Sequence, residues 1–277
     1  MQHKLRCMLC GIVLATLSFH GVVMAATLTT ETAIGKIIEE NRNFYKTKDG
    51  LQLDMAAGTS PKAWYEVCKN ALGTVFRGCD TAEMGSTAYY IDTSKSEQYT
   101  FVIQETQIEK LVNRENLVDE WVSDINKELF QNGMSREDVI KTAYLYVTNN
   151  FDYDKELAES GDVQRARDAQ GAYYAIINSK GICASLTKLF RVLVESVPFD
   201  NSGNVNWNIE DAVHVQVTII SSTKHEWAAI QLDEAWYHYD CSAGKGQNLR
   251  AYKLTTEELK TGQYASLYDL ENANYER

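Results

Sequence analysis

Between Thr106 and Phe130 the apolar residues Ile108, Leu111, Val112, Val118, Trp121, Val122, Ile125 and Leu129 recur at helical spacing. They predict one long amphipathic helix, broken if anywhere near Asn113 to Asn116, and Gly133 stands where a helix would stop. Ser135 with Asp138 three residues on forms a capping-box pattern and opens a second helix carrying Val139, Ile140, Ala143, Tyr146 and Val147, ending near Asn149-Asn150. A third helix is expected from Ala166 to Asn178, before a break at Lys180-Gly181. Immediately after Cys183, Leu186, Leu189, Phe190, Leu193 and Val194 share one helical face.

The period then changes from helical to alternating. Val213, Val215, Val217 and Ile219 fall on one face of a strand, and Glu226 to Gln231 and Ala235 to Asp240 read as two more, with turn residues Leu232 to Glu234 between them. Helices first and an antiparallel sheet afterwards describe an α+β domain, assigned to residues 105–277. Residues 26–104 form an N-terminal region of unreadable role, with only a helical start (Ile34, Ile37, Ile38) and a strand-like run, Tyr99 to Ile103.

A chain of 277 residues with 44% hydrophobic content is long enough for a sizeable core, and six cysteines are too sparse for a disulfide scaffold. His3, Lys4 and Arg6 precede an apolar stretch from Gly11 to Val23, and Val23-Met24-Ala25 supplies a cleavage site. Residues 1–25 therefore read as a signal peptide, and the mature chain as secreted into a periplasmic or extracellular compartment. The rival reading, a retained anchor, needs about 20 apolar residues, and His20 interrupts this run. In an oxidising compartment Cys68 and Cys79 are close enough in sequence to close a short disulfide loop. A net charge of −11 without a basic cluster argues against nucleic acid as a partner and against stable association with an anionic membrane once the signal is cleaved.

Cys183 follows a glycine break at a predicted helix start. A thiol attacks a carbonyl as thiolate, and the N–H groups and dipole at a helix N-terminus favour that anion. A cysteine in apolar surroundings is ordinarily just buried. What changes the reading is the hairpin. If Leu232 and Asp233 are a two-residue loop, Gln231 pairs with Glu234 and His225 lies directly opposite Asp240, within carboxylate–imidazole reach. The carboxylate would then fix the ring tautomer and leave the other nitrogen for the thiol. A one-residue slip would place the two on opposite faces.

Several segments together resemble bacterial secreted transglutaminase-like proteins. These are Asn132 to Glu137, Tyr144 to Asp154, and Ala172 to Cys183 with its Lys-Gly-Ile-Cys ending; His225-Glu226-Trp227 and Ala235 to Asp240 complete the pattern. The resemblance covers about Gln131 to Ser242, somewhat under half the chain. It implies a papain-like core in which Cys183 forms a thioester with an amide carbonyl, His225 shuttles the proton and Asp240 orients the ring. Two positions depart from the family: Ala184-Ser185-Leu186 replace the usual glycine and aromatic after the cysteine, and Ala228 stands where asparagine is common. Of the oxyanion donors only the Cys183 N–H is assigned, because no glutamine stands a few residues upstream.

The expected function is a thiol enzyme acting on protein or peptide amides, with protease or amidase chemistry favoured over cross-linking transfer. The alternative is a non-enzymatic surface or scaffold protein using the fold as a binding module. Trp227 and Trp236 are the weak candidates for a substrate cleft. His225, His238, Asp240 and Cys241 could be read as metal ligands, but strand alternation puts Cys241 on the other face from His238 and Asp240, and no cofactor is called for. His214, out of phase with the valines of its strand, reads as a plain polar position. Oligomeric state is not legible.

Overall fold

The computed structural model describes residue 35 and residues 51–54, 59–79, 89–95, 98–103, 105–243, 249–261 and 266–276. The expected signal peptide, and the helical start at Ile34, Ile37 and Ile38, lie outside the described residues. The chain divides into two compact units, Met1–Phe76 with Met84–Asn113, and Arg77–Glu83 with Arg114–Arg277.

In the first unit, β1 (Leu51–Asp54), β2 (Tyr89–Lys95) and β3 (Gln98–Ile103) form an antiparallel sheet in the order β1-β3-β2. The strand-like run Tyr99 to Ile103 is the body of β3. Helix α1 (Pro61–Val75) begins where Ser60 accepts from the Ala63 N–H at 3.3 Å and Pro61, which has no N–H to satisfy, takes the first turn. Its residues Trp64, Val67, Cys68, Ala71, Leu72 and Val75 are buried, one face repeating at helical spacing.

In the chain the boundary between the units falls inside α2 (Glu105–Leu129), which runs unbroken through Asn113 to Asn116. The helix stops at Leu129, ahead of Gly133, which sits in the turn that follows: its φ of 87° is a backbone conformation glycine takes freely, and its N–H donates to the Val205 carbonyl. Helix α3 (Arg136–Asn150) follows with the expected cap, in which Ser135 Oγ accepts from the Asp138 N–H and donates to its carboxylate at 2.7 Å. On α3 the fully buried ring is Tyr144, while Tyr146 is half-buried.

The helix expected over 166–178 is two. After β4 (Asp152–Tyr153) and α4 (Lys155–Glu159) come α5 (Val163–Asp168) and α6 (Ala172–Asn178), interrupted at Ala169 to Gly171 because Gly171 adopts an extended conformation and caps the second piece. Strand β5 (Lys180–Gly181) and α7 (Cys183–Glu195) follow.

The second sheet has five antiparallel strands ordered β10-β6-β7-β8-β9: β6 (Thr218–Ser221), β7 (Glu226–Leu232), β8 (Ala235–Tyr239), β9 (Leu254–Thr255) and β10 (Asn274–Glu276), with α8 (Thr256–Thr261) after β9. The strand expected from Val213 is regular only from Thr218; Val215, Val217 and Ile219 still share a buried face, while Val213 and His214 are exposed. The main core gathers Val139, Ile140, Ala143, Tyr144 and Val147 of α3, Leu186, Leu189, Phe190 and Leu193 of α7, and Ala228, Ile230 and Tyr239 of the sheet. The second unit is thus α+β, helices preceding an antiparallel sheet, and α7 is its central helix.

Candidate active site

Cys183 is placed by what precedes it. Ser179 ends α6 in a left-handed conformation, φ 53°, and β5 then pairs in parallel with β4, Tyr153 facing Gly181. The pairing is anchored by Asp154, a buried carboxylate that accepts from Tyr174 at 2.8 Å and from the Leu157 N–H, and pairs with Lys180 at 3.1 Å. Burial opposes its charge, yet these donors and Lys180 hold its carboxyl below the ordinary value. Gly181 permits the close approach, since a Cβ there would overlap Ser185 Oγ in the first turn of α7.

Helix α7 then starts at Cys183 with Ile182 as N-cap and no side-chain cap. Its opening N–H groups have no intrahelical acceptors, which gives this end its partial positive charge. Every later residue of α7 is buried; Cys183 alone of the helix is half-buried.

His225 is fixed at the entrance to β7 by a tight turn. Ser222 N–H donates to the His225 carbonyl at 2.8 Å, and the His225 N–H donates back to Ser222 Oγ at 3.2 Å. The next residue ties this strand to α7. Glu226 pairs with the buried Lys188 at 3.1 Å and accepts from Ser221 at 2.8 Å, while Thr187 Oγ1 donates to the Glu226 carbonyl. Lys188 and Thr187 belong to the helix that begins with Cys183, so these bonds set the position of His225 against the thiol.

The hairpin register differs from the expected one. Asp233 and Glu234, with φ 48° and 71°, are the two loop residues, and Leu232 pairs with Ala235. Tight hairpins need positive φ at both central positions, which the apolar Leu232 avoids and Asp233 and Glu234 accept. The pairing is therefore displaced by two positions, and the ladder, continued one step past Ala228 and Tyr239, sets Asp240 across from Trp227. His225 and Asp240 are diagonal neighbours instead of direct partners. A displacement of two keeps both on one side, and His225 Nε2 meets Asp240 Oδ2 at 2.8 Å.

Asp240 is held from every side. Its Oδ2 also accepts from the Tyr268 hydroxyl at 2.7 Å, and its Oδ1 from the Ser242 N–H at 2.8 Å and the Ser242 hydroxyl at 2.6 Å. Its own backbone is pinned too: its N–H donates to Ala251, and its carbonyl accepts from Tyr144 at 3.2 Å. Burial opposes ionisation, but the bond and charge of His225 and the donors Ser242 and Tyr268 keep the carboxyl below its usual range.

His225 is bonded to the acid and feels the thiol. Burial works against its charge, and the hydrogen bond to Asp240, with the Asp240 charge and the nearby Cys183 sulfur, overcomes this and raises its pKa from 6.5 to about 10. With Nε2 on Asp240, Nδ1 is the ring nitrogen that the carboxylate leaves unengaged. A protonated ring has a donor on each nitrogen. Around the imidazole, Trp227 stacks at 6.1 Å between centroids and Tyr268 meets it edge-on at 5.5 Å.

Other expected positions fall elsewhere. Trp227 is completely buried, so it is the wall behind His225 and offers no face to a ligand. Trp236 is exposed at the turn end of the hairpin, paired with Gln231 and four residues from Asp240, about 13 Å along a strand. The half-exposed aromatic near the thiol is instead Tyr153, whose phenol is pushed up to about 12 by burial and by the neighbouring Cys183 and Asp240. His238 accepts from Trp227 Nε1 at 3.1 Å and meets Thr256, and burial lowers its pKa to about 4, so it is a neutral structural histidine. Cys241 is buried in the main core and burial pushes its thiol well up. Cys68 and Cys79 are both buried and neither is disulfide-bonded, so the expected bridge is not formed here; they also belong to different compact units. Among the described residues no three of His, Cys, Asp and Glu gather as a metal site, and no helix is long and apolar enough to cross a membrane.

Sequence reasoning missed Tyr268, Ser242, Ser222 and Lys188. Ser242 carried a signal, because Asp followed two residues later by a donor N–H is an Asx turn. Tyr268 carried none, standing 28 positions from its partner in a segment without periodicity.

No family model and no curated protein matches this chain. A solved structure described as "Crystal structure of a TGase" is similar at a TM-score of 0.33 and 14% identity. The match covers 76% of this chain and 54% of that one. This is a weak and partial likeness.

Proposed function

We propose that the chain is a thiol enzyme of transglutaminase-like type, cleaving or exchanging peptide or side-chain amides through a thioester on Cys183. The observation that carries the reading is the 2.8 Å bond between Asp240 and His225, with the half-buried cysteine that opens α7 close enough to act on the same ring. A cysteine at a helix start beside a protonated histidine has the surroundings that favour thiolate.

In the proposed reaction the Cys183 sulfur attacks the amide carbonyl carbon and the oxyanion forms near the Cys183 N–H. His225 gives its proton to the leaving nitrogen as the C–N bond breaks, which leaves a thioester and a neutral ring. Water, deprotonated by His225, then attacks the thioester; the carboxylic acid departs and the thiolate and protonated ring are restored. Asp240 keeps the imidazole in the required tautomer throughout. An amine in place of water would give transfer. We favour hydrolysis because Ala228 and Ala229 are small and buried and add no wall to an amine approach, and Trp227 is buried and offers a ligand no face.

Export is part of the same proposal, resting on residues 1–25, and N-terminal sequencing of protein from the culture medium or periplasm tests it. Activity is tested by incubating mature protein with peptides carrying glutamine or ordinary backbone amides, with and without a labelled primary amine, and following mass. Backbone cleavage identifies a protease and ammonia release a deamidase. Efficient amine incorporation would overturn the preference for hydrolysis. No product from any substrate, with Cys183 inert to alkylation, would return the chain to the reading of a binding module.

A further inference from the structure

Asp240 Oδ2 accepts two hydrogen bonds, from His225 at 2.8 Å and from Tyr268 at 2.7 Å. The second donor comes from the C-terminal segment, whose strand β10 adds to the edge of β6 and whose residues Leu270 and Ala273 pack with Trp227, Ile220 and Leu259. Tyr268 is buried, lies edge-on to Trp227 at 4.9 Å, and meets the imidazole edge-on as well. Its ring and its hydroxyl therefore touch the two partners of one hydrogen bond.

We propose that Tyr268 is a positioning residue of the site, its hydroxyl holding the carboxylate oxygen that faces His225 and so setting how strongly Asp240 draws on the imidazole. This rests on the reading of Cys183, His225 and Asp240 as a reacting group. The chemistry follows from sharing. A carboxylate oxygen with two donors divides its acceptor strength between them, and removal of one concentrates it on the other. With Ser242 saturating Oδ1, all the adjustment available to the carboxylate lies on Oδ2. The other charge interactions here are Cys183 on His225, Asp240 on Tyr153, Tyr144 and Cys241, and Tyr144 and Arg250 on Tyr268. Burial and the Asp240 charge raise the Tyr268 phenol, so it stays a protonated donor across the working range.

The test uses the full mature chain with Tyr268→Phe, which keeps the ring and its packing and removes only the donor. The His225 ring is titrated by NMR in isotopically labelled protein, and melting temperature and turnover are measured beside it. The expected result is a His225 midpoint raised by on the order of 0.5 in pH, with kcat lowered on the order of 3- to 30-fold and KM little changed. Ser242→Ala, which removes the hydroxyl donor from the other oxygen and leaves its backbone donor, should move the His225 midpoint less. An unchanged or lowered midpoint in Tyr268→Phe, with only a lower melting temperature, would overturn the proposal and leave Tyr268 a packing residue. Because the titration needs no substrate, a wild type without turnover but with the expected shift would defeat the proposed reaction and not this inference.

Discussion

Two cysteines stand beside the same histidine–aspartate pair in opposite surroundings. Cys183 opens α7, half-buried, and lies near enough to His225 to act on its ring. Cys241 follows Asp240 directly in the chain, is 2% exposed, and packs among the apolar side chains of the main core. Nearness to the charged pair is thus common to both. Burial, next to the Asp240 charge, pushes the Cys241 thiol well up, whereas Cys183 stands at a helix start with the His225 imidazole nearby, surroundings of the kind that favour a thiolate. The difference teaches that reactivity here is set by what can balance a negative sulfur.

The comparison is broken most directly by exchanging the two. Cys183→Ala should remove turnover to background, a loss on the order of 10⁴-fold or more, with circular dichroism and melting temperature close to wild type. Cys241→Ala should leave turnover within a few-fold, as measured on the same substrates. A large rate loss in the second variant with a small one in the first would invert the assignment.

Asp240→Asn sharpens the role of the pair. An amide can hold the ring in the wrong tautomer, so kcat should fall on the order of 10²- to 10⁴-fold with a smaller change in KM. Next in effect is Lys188→Met, which leaves Glu226 without its buried cation; denaturant unfolding should show a loss of about 3–5 kcal/mol. Since Glu226 adjoins His225, alkylation of Cys183 in that variant should slow as well.

The smallest effect is the pH dependence of stability. The folded pKa of His225 lies above its unfolded value, so its contribution is fully present below about 6.5 and is lost as pH rises to about 10. The stability difference between wild type and His225→Gln, measured by urea unfolding, should shrink across that window. A difference that grows with pH would mean that the ring is held neutral.

Much of this was legible because burial is periodic. The apolar faces of α3 and α7 repeat at helical spacing, and Ser135 and the Lys180-Gly181 break mark where they start. The hairpin was read two positions out because Asp233-Glu234 is a less marked turn sequence than Asn-Gly, so the choice of Leu232 or Glu234 as loop residue had no strong signal. The pairing of His225 with Asp240 survived since an even displacement preserves side. Trp227 was placed in a cleft when it is buried, because alternation gives the face of a residue and says nothing of what covers it. The cover is Tyr268, brought there by a C-terminal strand too short for any pattern.

The central claim is that Cys183 is the nucleophile, and stoichiometric alkylation of the native mature protein tests it most directly. Iodoacetamide at neutral pH, followed by peptide mass mapping and by residual turnover, should place one equivalent on Cys183 and abolish activity in proportion. Cys68 and Cys241 should label only after unfolding, and His225→Ala should slow the native reaction. Labelling of Cys241 at a comparable rate, or full activity with Cys183 alkylated, would contradict the account.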